Sequence, residues 1–306
     1  MRTLNQIGEF GLIDQIRART PKASGVKAGI GDDAAVLQGD ANRDWLFKTD
    51  MIIEGRHFRT DRATPFEIGW KAMAVNVSDM AAMGGVPVYA LVAAGFPGSL
   101  SEKFLKKMQD GMNAVCRRFG AAIVGGDTNK SDRIILAVSL LGRVPKNRAV
   151  LRSGARPGDA VFVTGSLGGS YASKKHLRFV PRVAEAQYLV KNISVHAMMD
   201  ISDGLGSDIF HIASESGVGV LLDEKAIPVS RAAKGICGAL SDGEDFELLF
   251  TVSGKDAAQL QAKWPKKLAP LSRIGEVTRS KGVAFLGTDG VKRALKRSGF
   301  DHFKNS

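Results

Sequence analysis

The chain has 306 residues, 44% hydrophobic and 24% charged, which excludes disorder and collagen-like repeats and suits two domains with their own cores. Its net charge of +12 invites a polyanionic partner, yet residues 1–150 carry 21 basic and 15 acidic side chains and residues 151–306 carry 22 and 16, +6 in each half. No basic tail or basic domain exists, which argues against a nucleic-acid footprint. In chain order, Leu4 to Ala18 reads as an amphipathic helix with Ile7, Phe10, Leu12, Ile13 and Ile16 on one side. A Gly-punctuated stretch from Gly25 to Leu37 follows, then a strand from Trp45 to Ile53. Pro65 to Gly84 predicts a helix, opened by proline and closed by glycine. Val86 to Phe96 predicts a strand, Ser101 to Phe119 a helix stopped by Gly120, and Ala121–Val124 and Ile134–Val144 two strands that complete a first α/β unit.

A polar, turn-rich boundary spans Pro145 to Gly158. Beyond it AVFVTG predicts a strand, and a helix beginning near Asp203 continues through Ser207–Ser216. VGVLLD, FELLFTV and the Ile274 region predict strands, and Lys255–Trp264 a helix. The uncharged run from Met80 to Ser101 is long enough to cross a bilayer, but Gly84, Gly85, Pro87 and Pro97 divide it, so it reads as core. Lys292-Arg293 with Lys296-Arg297 is the nearest thing to a basic stripe and reads as a solvated helix face. Two cysteines, Cys116 and Cys237, form neither a disulfide framework nor a zinc cluster and suit a reducing cytoplasm.

The acidic residues are more informative. They recur beside glycines in apolar surroundings: GIGDDAAVL at 29–37, KTDMIIEGRHF at 48–58, NVSDMAAMGG at 76–85, GGDTN at 125–129, MDISDGLGSD at 199–208 and SDGEDFELLF at 241–250. These read as turn-like settings, and glycine is abundant, 35 residues of 306. A buried, unpaired carboxylate is costly, so repeated Asp–Gly motifs point to hard cations such as Mg²⁺ and to phosphate. For any one motif an ordinary Asx-turn is the stronger reading; six together favour a shared site. Gly29-Ile30-Gly31-Asp32-Asp33-Ala34 formally fits a dinucleotide fingerprint, but the Asp pair stands where backbone amides should meet a pyrophosphate. Asn76 and Asp79 are three apart and share a helix face beside Met73, Val77 and Met80. Asp200 and Asp203 span a strand-to-helix transition, where Asp203 alone would serve as a helix cap.

The Walker-type loop, the protein-kinase motifs, H-E-x-x-H and G-x-S-x-G are absent from the sequence, and the five histidines lack metal-ligand spacing. Many carboxylates without an evident nucleophile suggest phosphoryl transfer by positioning and charge neutralisation. Arg152 is a candidate phosphate cation, with carbonyl capping as its alternative.

Taken in order and spacing, GIGDDAA, TD…EG.HF, K-A-x-A-V-N-x-S-D-x-A-A-M-G, GGDT, RSGA.PGD.V.VTG, ISDGL..D, GEDFEL and GFDHF resemble the thiamine-monophosphate kinase family. That family belongs to the superfamily of aminoimidazole ribonucleotide synthetase and selenophosphate synthetase, and the resemblance runs from GEFGLI at 8–13 to GFDHF at 299–303. It implies an α/β (α+β) two-domain fold of mixed sheets flanked by helices. Residues 1–145 would form an ATP- and Mg-binding domain that also makes a homodimer, and residues 146–306 an α/β domain completing the nucleotide and substrate site. It implies direct phosphorylation of thiamine monophosphate by ATP with several Mg²⁺ ions, in the cytoplasm, without nucleic acid or membrane. By motif, Asp33, Thr49, Asp50, Asp79, Asp127, Asp200 and Asp203 resemble the metal ligands, with Asp50, Asp79, Asp127 and Asp203 serving catalysis. Gly126, Asp127, Arg152 and Ser202 resemble the ATP contacts, and His57, Glu244 and Phe300 the contacts to thiamine phosphate. Glu244 would pair with a cationic heterocycle on which Phe300 stacks.

Four departures stand out. Lys48 takes the place of a common Ser or Thr and is expected to reach phosphate or turn away; Gly169 replaces an aspartate in G-D-S; Asp242 replaces a glycine in S-G-G-E-D. The segment 168–189 is short, which puts a lid or substrate loop there in doubt. The related purine-pathway cyclo-ligase is the alternative enzyme, against which GEDFEL and GFDHF argue.

Overall fold

The computed structural model describes residues 3–300 and Phe303; Asp301 and His302 of the GFDHF motif lie outside the described residues. Two mixed sheets dominate. The first contains β1 (Val26–Ala28), β2 (Ala35–Leu37), β3 (Arg43–Ile53), β4 (Val86–Phe96), β5 (Ala122–Lys130) and β6 (Ile135–Pro145). Their order is β1-β2-β3-β6-β4-β5, antiparallel except for the β4–β5 pair. The second contains β7 (Ala160–Thr164), β8 (Val195–Asp200), β9 (Gly219–Asp223), β10 (Leu248–Val252), β11 (Leu271–Thr278), β12 (Gly282–Leu286) and β13 (Lys292–Ala294), in the order β13-β12-β9-β11-β7-β10-β8. Only its β9–β12 pair is parallel among the described residues.

One face of the first sheet is covered by α2 (Pro65–Ala82) and α3 (Glu102–Phe119). Helix α2 starts on a capping box, in which Thr64 accepts from the Glu67 N–H and the Glu67 carboxylate accepts from the Thr64 N–H. Its apolar stripe was expected on one side, but nearly the whole helix is buried. The opposite side is covered by α4 (Lys175–Arg178), α5 (Val183–Asn192) and β8, so α2 lies between the two halves. The 168–189 segment therefore holds two helices, and its Leu177 and Phe179 enter the core of the first half.

Strand β7 is buried along its length because both faces are used. Val161 and Val163 join a core with α6 (Leu205–Ser216), whereas Ala160 and Phe162 join another with α5 and the helix Gly254–Lys263.

Three local expectations change. Helix α1 (Leu4–Arg19) is interrupted at Gly8, φ 71°, and buries no apolar residue fully. Its Phe10 instead meets the His211 ring at 4.8 Å, and the Arg297 guanidinium lies 3.9 Å above Phe10. GGDTN is not a turn but part of β5, because pairing with β4 carries the strand through both glycines. Lys292-Arg293 form the edge strand β13, not a helix face; charged edges of this kind discourage further pairing. Among the described residues no helix is long and apolar enough to cross a membrane.

Candidate active site

Three motifs from distant parts of the sequence converge behind the first sheet. Asp33 follows the GIGD turn, Asp79 stands on the last turns of α2, and Asp200 ends β8. One carboxylate oxygen from each lies within 4.8 Å of the others, and all three residues are buried. Helix α2 makes this possible because it touches both the first sheet and β8. Ser78, beside Asp79, donates to Asp200 Oδ2.

Buried carboxylates this close resist ionising together. Asp79 is pushed well above the usual carboxylate range by burial, against the pull of Lys48. Asp200 is pushed up to about 7 by burial and by the charge of Asp33. Asp32 rises to about 7 by burial and the same neighbour, and Asp203 to about 7 by burial and Glu9. Asp208 also rises, through burial and Asp203.

Two cations border the cluster. The Arg152 guanidinium grips Asp33 through Nε and Nη2, and its backbone N–H donates to Asp32. Lys48 does not turn away: its Nζ lies 2.6 Å from Asp79 Oδ2 and 3.3 Å from Asp50 Oδ2. Burial disfavours that ammonium, but Asp50 and Asp79 outweigh the cost and hold it above its ordinary value.

The set suits a hard divalent cation. Its donors are carboxylate oxygens, and Asp33 Oδ2 and Asp208 Oδ1 are buried with no hydrogen-bond partner among the described residues. Neither Asp208 nor the Arg152 ion pair with Asp33 was evident from sequence. Asp208 lies in the ISDGL..D motif, and its Oδ2 accepts from the Asp203 N–H.

Two expected ligands lie elsewhere in the chain. Strand parity puts Leu46, Lys48, Asp50 and Ile52 on the inner face of β3, and Phe47, Thr49 and Met51 on the outer face. The Thr49 hydroxyl donates to the Val138 carbonyl and accepts from Ser139. Asp127 pairs in register with Ala93, which pairs with Ala137 and so with Met51, placing Asp127 on that outer face too. It is exposed and accepts from Asn129. Gly126 beside it packs so closely on β4 that a Cβ would stand 1.9 Å from the Val92 carbonyl oxygen.

A second constellation forms around Glu244. Glu244 has φ 51° and sits in the loop before β10, where Gly243 and Phe246 also have positive φ. Such backbone costs of order 1–3 kcal/mol per non-glycine residue and clusters at binding sites. Lys71, fully buried on α2, donates to Glu244 Oε1 at 2.6 Å and to the His57 carbonyl at 2.7 Å. Burial lowers the Lys71 ammonium from its ordinary value, against the pull of Glu244. Burial and Glu244 together raise the Tyr171 phenol. The Ser202 carbonyl accepts from the Glu244 N–H, tying this loop to the ISDGL segment. Phe300, 37% exposed, donates its N–H to the Asp203 carbonyl.

The family described as AIR synthase related protein, N-terminal domain, matches residues 31–144, and its C-terminal domain counterpart matches residues 156–287. The chain is 35% identical to the thiamine-monophosphate kinase of Bacillus subtilis (strain 168) over 97% of this chain and 99% of that one. A solved structure of AaThiL complexed with AMPPCP and TMP superposes with a TM-score of 0.85 at 32% identity, covering 99% of both chains. Thiamine-monophosphate kinase from Stenotrophomonas maltophilia K279a superposes with a TM-score of 0.73 at 34% identity, covering 92% of this chain and 96% of that one. With two AIR-synthase-related domains and relatives aligned almost end to end, the chain belongs to the thiamine-monophosphate kinase family.

Proposed function

We propose that this chain transfers the terminal phosphoryl group of ATP directly to the phosphate of thiamine monophosphate, giving thiamine diphosphate and ADP. The observation that carries the proposal is the buried Asp33–Asp79–Asp200 triad, flanked by Arg152 and Lys48, in a chain matched over 99% of its length by a structure holding AMPPCP and TMP.

Asp33, Asp79 and Asp200, with Asp50 and Asp203 near them, would hold Mg²⁺. Bound there, the metal supplies charge neutralisation for the polyphosphate. The protein's own part is positional. Arg152 presents a planar fork of donors beside the triad, suited to a phosphate oxygen once its grip on Asp33 is shared. Glu244, held by Lys71, presents a carboxylate for the cationic thiamine ring system, and Phe300 an aromatic face. Gly126, Ser202 and His57 complete the proposed contacts.

In this reading residues 1–145 carry most of the metal site and residues 146–306 complete it, since Asp200 and Glu244 reach α2 from the second half. The outer face of the first sheet supports a homodimer through the N-terminal half: Phe47, Met51, Tyr89, Leu91 and Val124 are exposed there. Asp127 and Thr49 lie on that same face, so any part they take in a metal site would require a second copy. Free cysteines at 116 and 237 suit a cytoplasmic location.

The direct test is ADP formation at saturating ATP and Mg²⁺. Turnover should require thiamine monophosphate, and Asp200→Asn should reduce it by roughly 100-fold or more while leaving the circular dichroism unchanged. ADP formation indifferent to thiamine monophosphate would sink the assignment.

A further inference from the structure

Lys48 occupies an unusual place for a side chain beside a metal site. It projects from β3 on the same face as Asp50, and its ammonium lies 2.6 Å from Asp79 and 3.3 Å from Asp50. Asp79 is at the same time one corner of the carboxylate triad. The lysine thus closes one edge of the cluster at ligand-like distance, on oxygens that would otherwise face each other unscreened. Arg152 closes the opposite corner by gripping Asp33. A small uncharged side chain at position 48 would leave Asp50 and Asp79 facing a gap suited to a cation.

We propose that the Lys48 ammonium is a resident cation that fills the position between Asp50 and Asp79, so that this chain holds one divalent ion fewer than its carboxylates would otherwise bind. The inference rests on the reading that the triad holds divalent metal. The Asp33–Asp200 side remains open to exchangeable metal, where Asp33 Oδ2 is buried without a partner among the described residues. The ammonium cannot leave, so the charge at this edge is independent of free Mg²⁺. A metal ion at the same edge would compete with protons and with the surrounding solution.

Counting bound Mn²⁺ by electron paramagnetic resonance tests this, using the full chain with and without a non-hydrolysable ATP analogue. Lys48→Ser should bind one more Mn²⁺ per chain than the wild type, and Lys48→Arg should match the wild type. Equal counts in wild type and Lys48→Ser, both folded by circular dichroism, would overturn the proposal. A lower count in Lys48→Ser would overturn it as well, because the lysine would then be organising metal rather than replacing it. If neither protein binds Mn²⁺ under any condition, the metal reading itself falls, which is a different failure. Should Lys48→Ser not fold, Mn²⁺-soaked crystals of the wild type decide: anomalous density is expected beside Asp33 and Asp200. An ion ligated by both Asp50 and Asp79 would overturn the proposal.

Discussion

The backbone N–H of Gly169 donates to Oδ2 of Asp242 at 2.7 Å, joining two loops 73 residues apart. These positions depart in opposite senses from the pattern of the sequences this chain resembles: an aspartate is lost at 169 and one is gained at 242. Gly169 has φ 71°, and a Cβ there would stand 2.3 Å from the Ala232 carbonyl carbon. The left-handed backbone alone costs a non-glycine residue about 1–2 kcal/mol. Gly169→Asp adds that close contact and a second carboxylate against Asp242, so its melting temperature should fall by more than about 4 °C. Asp242→Gly, which loses one charged hydrogen bond, should cost about 1.5–3 kcal/mol. The double variant should melt higher than the two losses added together predict, because the carboxylate repulsion is gone. Thermal melts of the four proteins decide it; strict additivity would show that the two residues do not communicate.

That contact illustrates what was legible in the sequence. Both departures were visible from sequence, but their meeting depends on how two loops close over β7 and β10. Helix α2 was legible because Pro65 and Gly84 are local signals for its start and stop. The carboxylate triad was legible because aspartates beside glycines in apolar runs are costly without a partner. That Thr49 and Asp50 direct their side chains to opposite faces of β3 was legible from strand parity alone. Lys71 was not legible as a site residue: a lysine in an amphipathic helix reads as solvated until a second layer is seen to cover it. The destination of Lys48 was not legible for another reason: it depends on the separation of β3 from α2.

The raised carboxylates predict an unusual pH response. Asp32, Asp200 and Asp203 are pushed up to about 7, by burial first and neighbouring carboxylates second, from an ordinary value near 3.9. Between these limits the metal-free folded chain holds protons that the unfolded chain has released. Stability therefore falls as pH rises from about 4 through about 7. Asp44 acts in the opposite sense: burial opposes its ionisation, but Lys27 and backbone donors hold it below the usual range. Its contribution is lost only below about pH 4, outside this window; His211 and His176, both lowered by burial, oppose the trend inside it up to about pH 6.5, but the raised carboxylates outweigh them. Metal-free protein should accordingly melt higher near pH 5 than near pH 8, and Mg²⁺ should raise the melting temperature more near pH 8. A metal-free melting temperature that is flat or rises across this range would contradict the assignment.

Lys71 and Glu244 connect α2 to the loop before β10, the proposed thiamine-phosphate contact, through a 2.6 Å ion pair in which the lysine is fully buried. Replacing the ammonium alone leaves a carboxylate facing a desolvated gap, and breaking such pairs costs about 3–5 kcal/mol when both partners are buried. Glu244 retains some solvent contact, so Lys71→Met should fall at or below the lower end. Lys71→Met combined with Glu244→Gln should recover much of the loss. The kinetic signature separates positioning from simple packing. Lys71→Met should raise the KM for thiamine monophosphate and leave that for ATP nearly unchanged. Equal changes for both substrates would show that the pair only supports the fold.

The outer face of the first sheet makes the last prediction. In β3, β6 and β4, Phe47, Leu141 and Tyr89 form one row across the strands, Thr49, Ser139 and Leu91 the next, and Met51, Ala137 and Ala93 the third. Leu91 is near the middle of this patch and 49% exposed. Burying such a side chain contributes roughly 1.5–3 kcal/mol, and a two-fold interface counts it once from each copy. Leu91→Asp should therefore convert a dimer into a monomer in sedimentation velocity. Its far-ultraviolet spectrum should not change, because the side chain points away from the core. Asp127 shares this face through its pairing with Ala93, so the same variant tests whether activity depends on the second copy. Monomeric Leu91→Asp with full turnover would place the complete site within one chain and leave Asp127 outside it. A monomeric variant with turnover restored by adding catalytically dead Asp200→Asn protein would show that the second chain supplies part of the site.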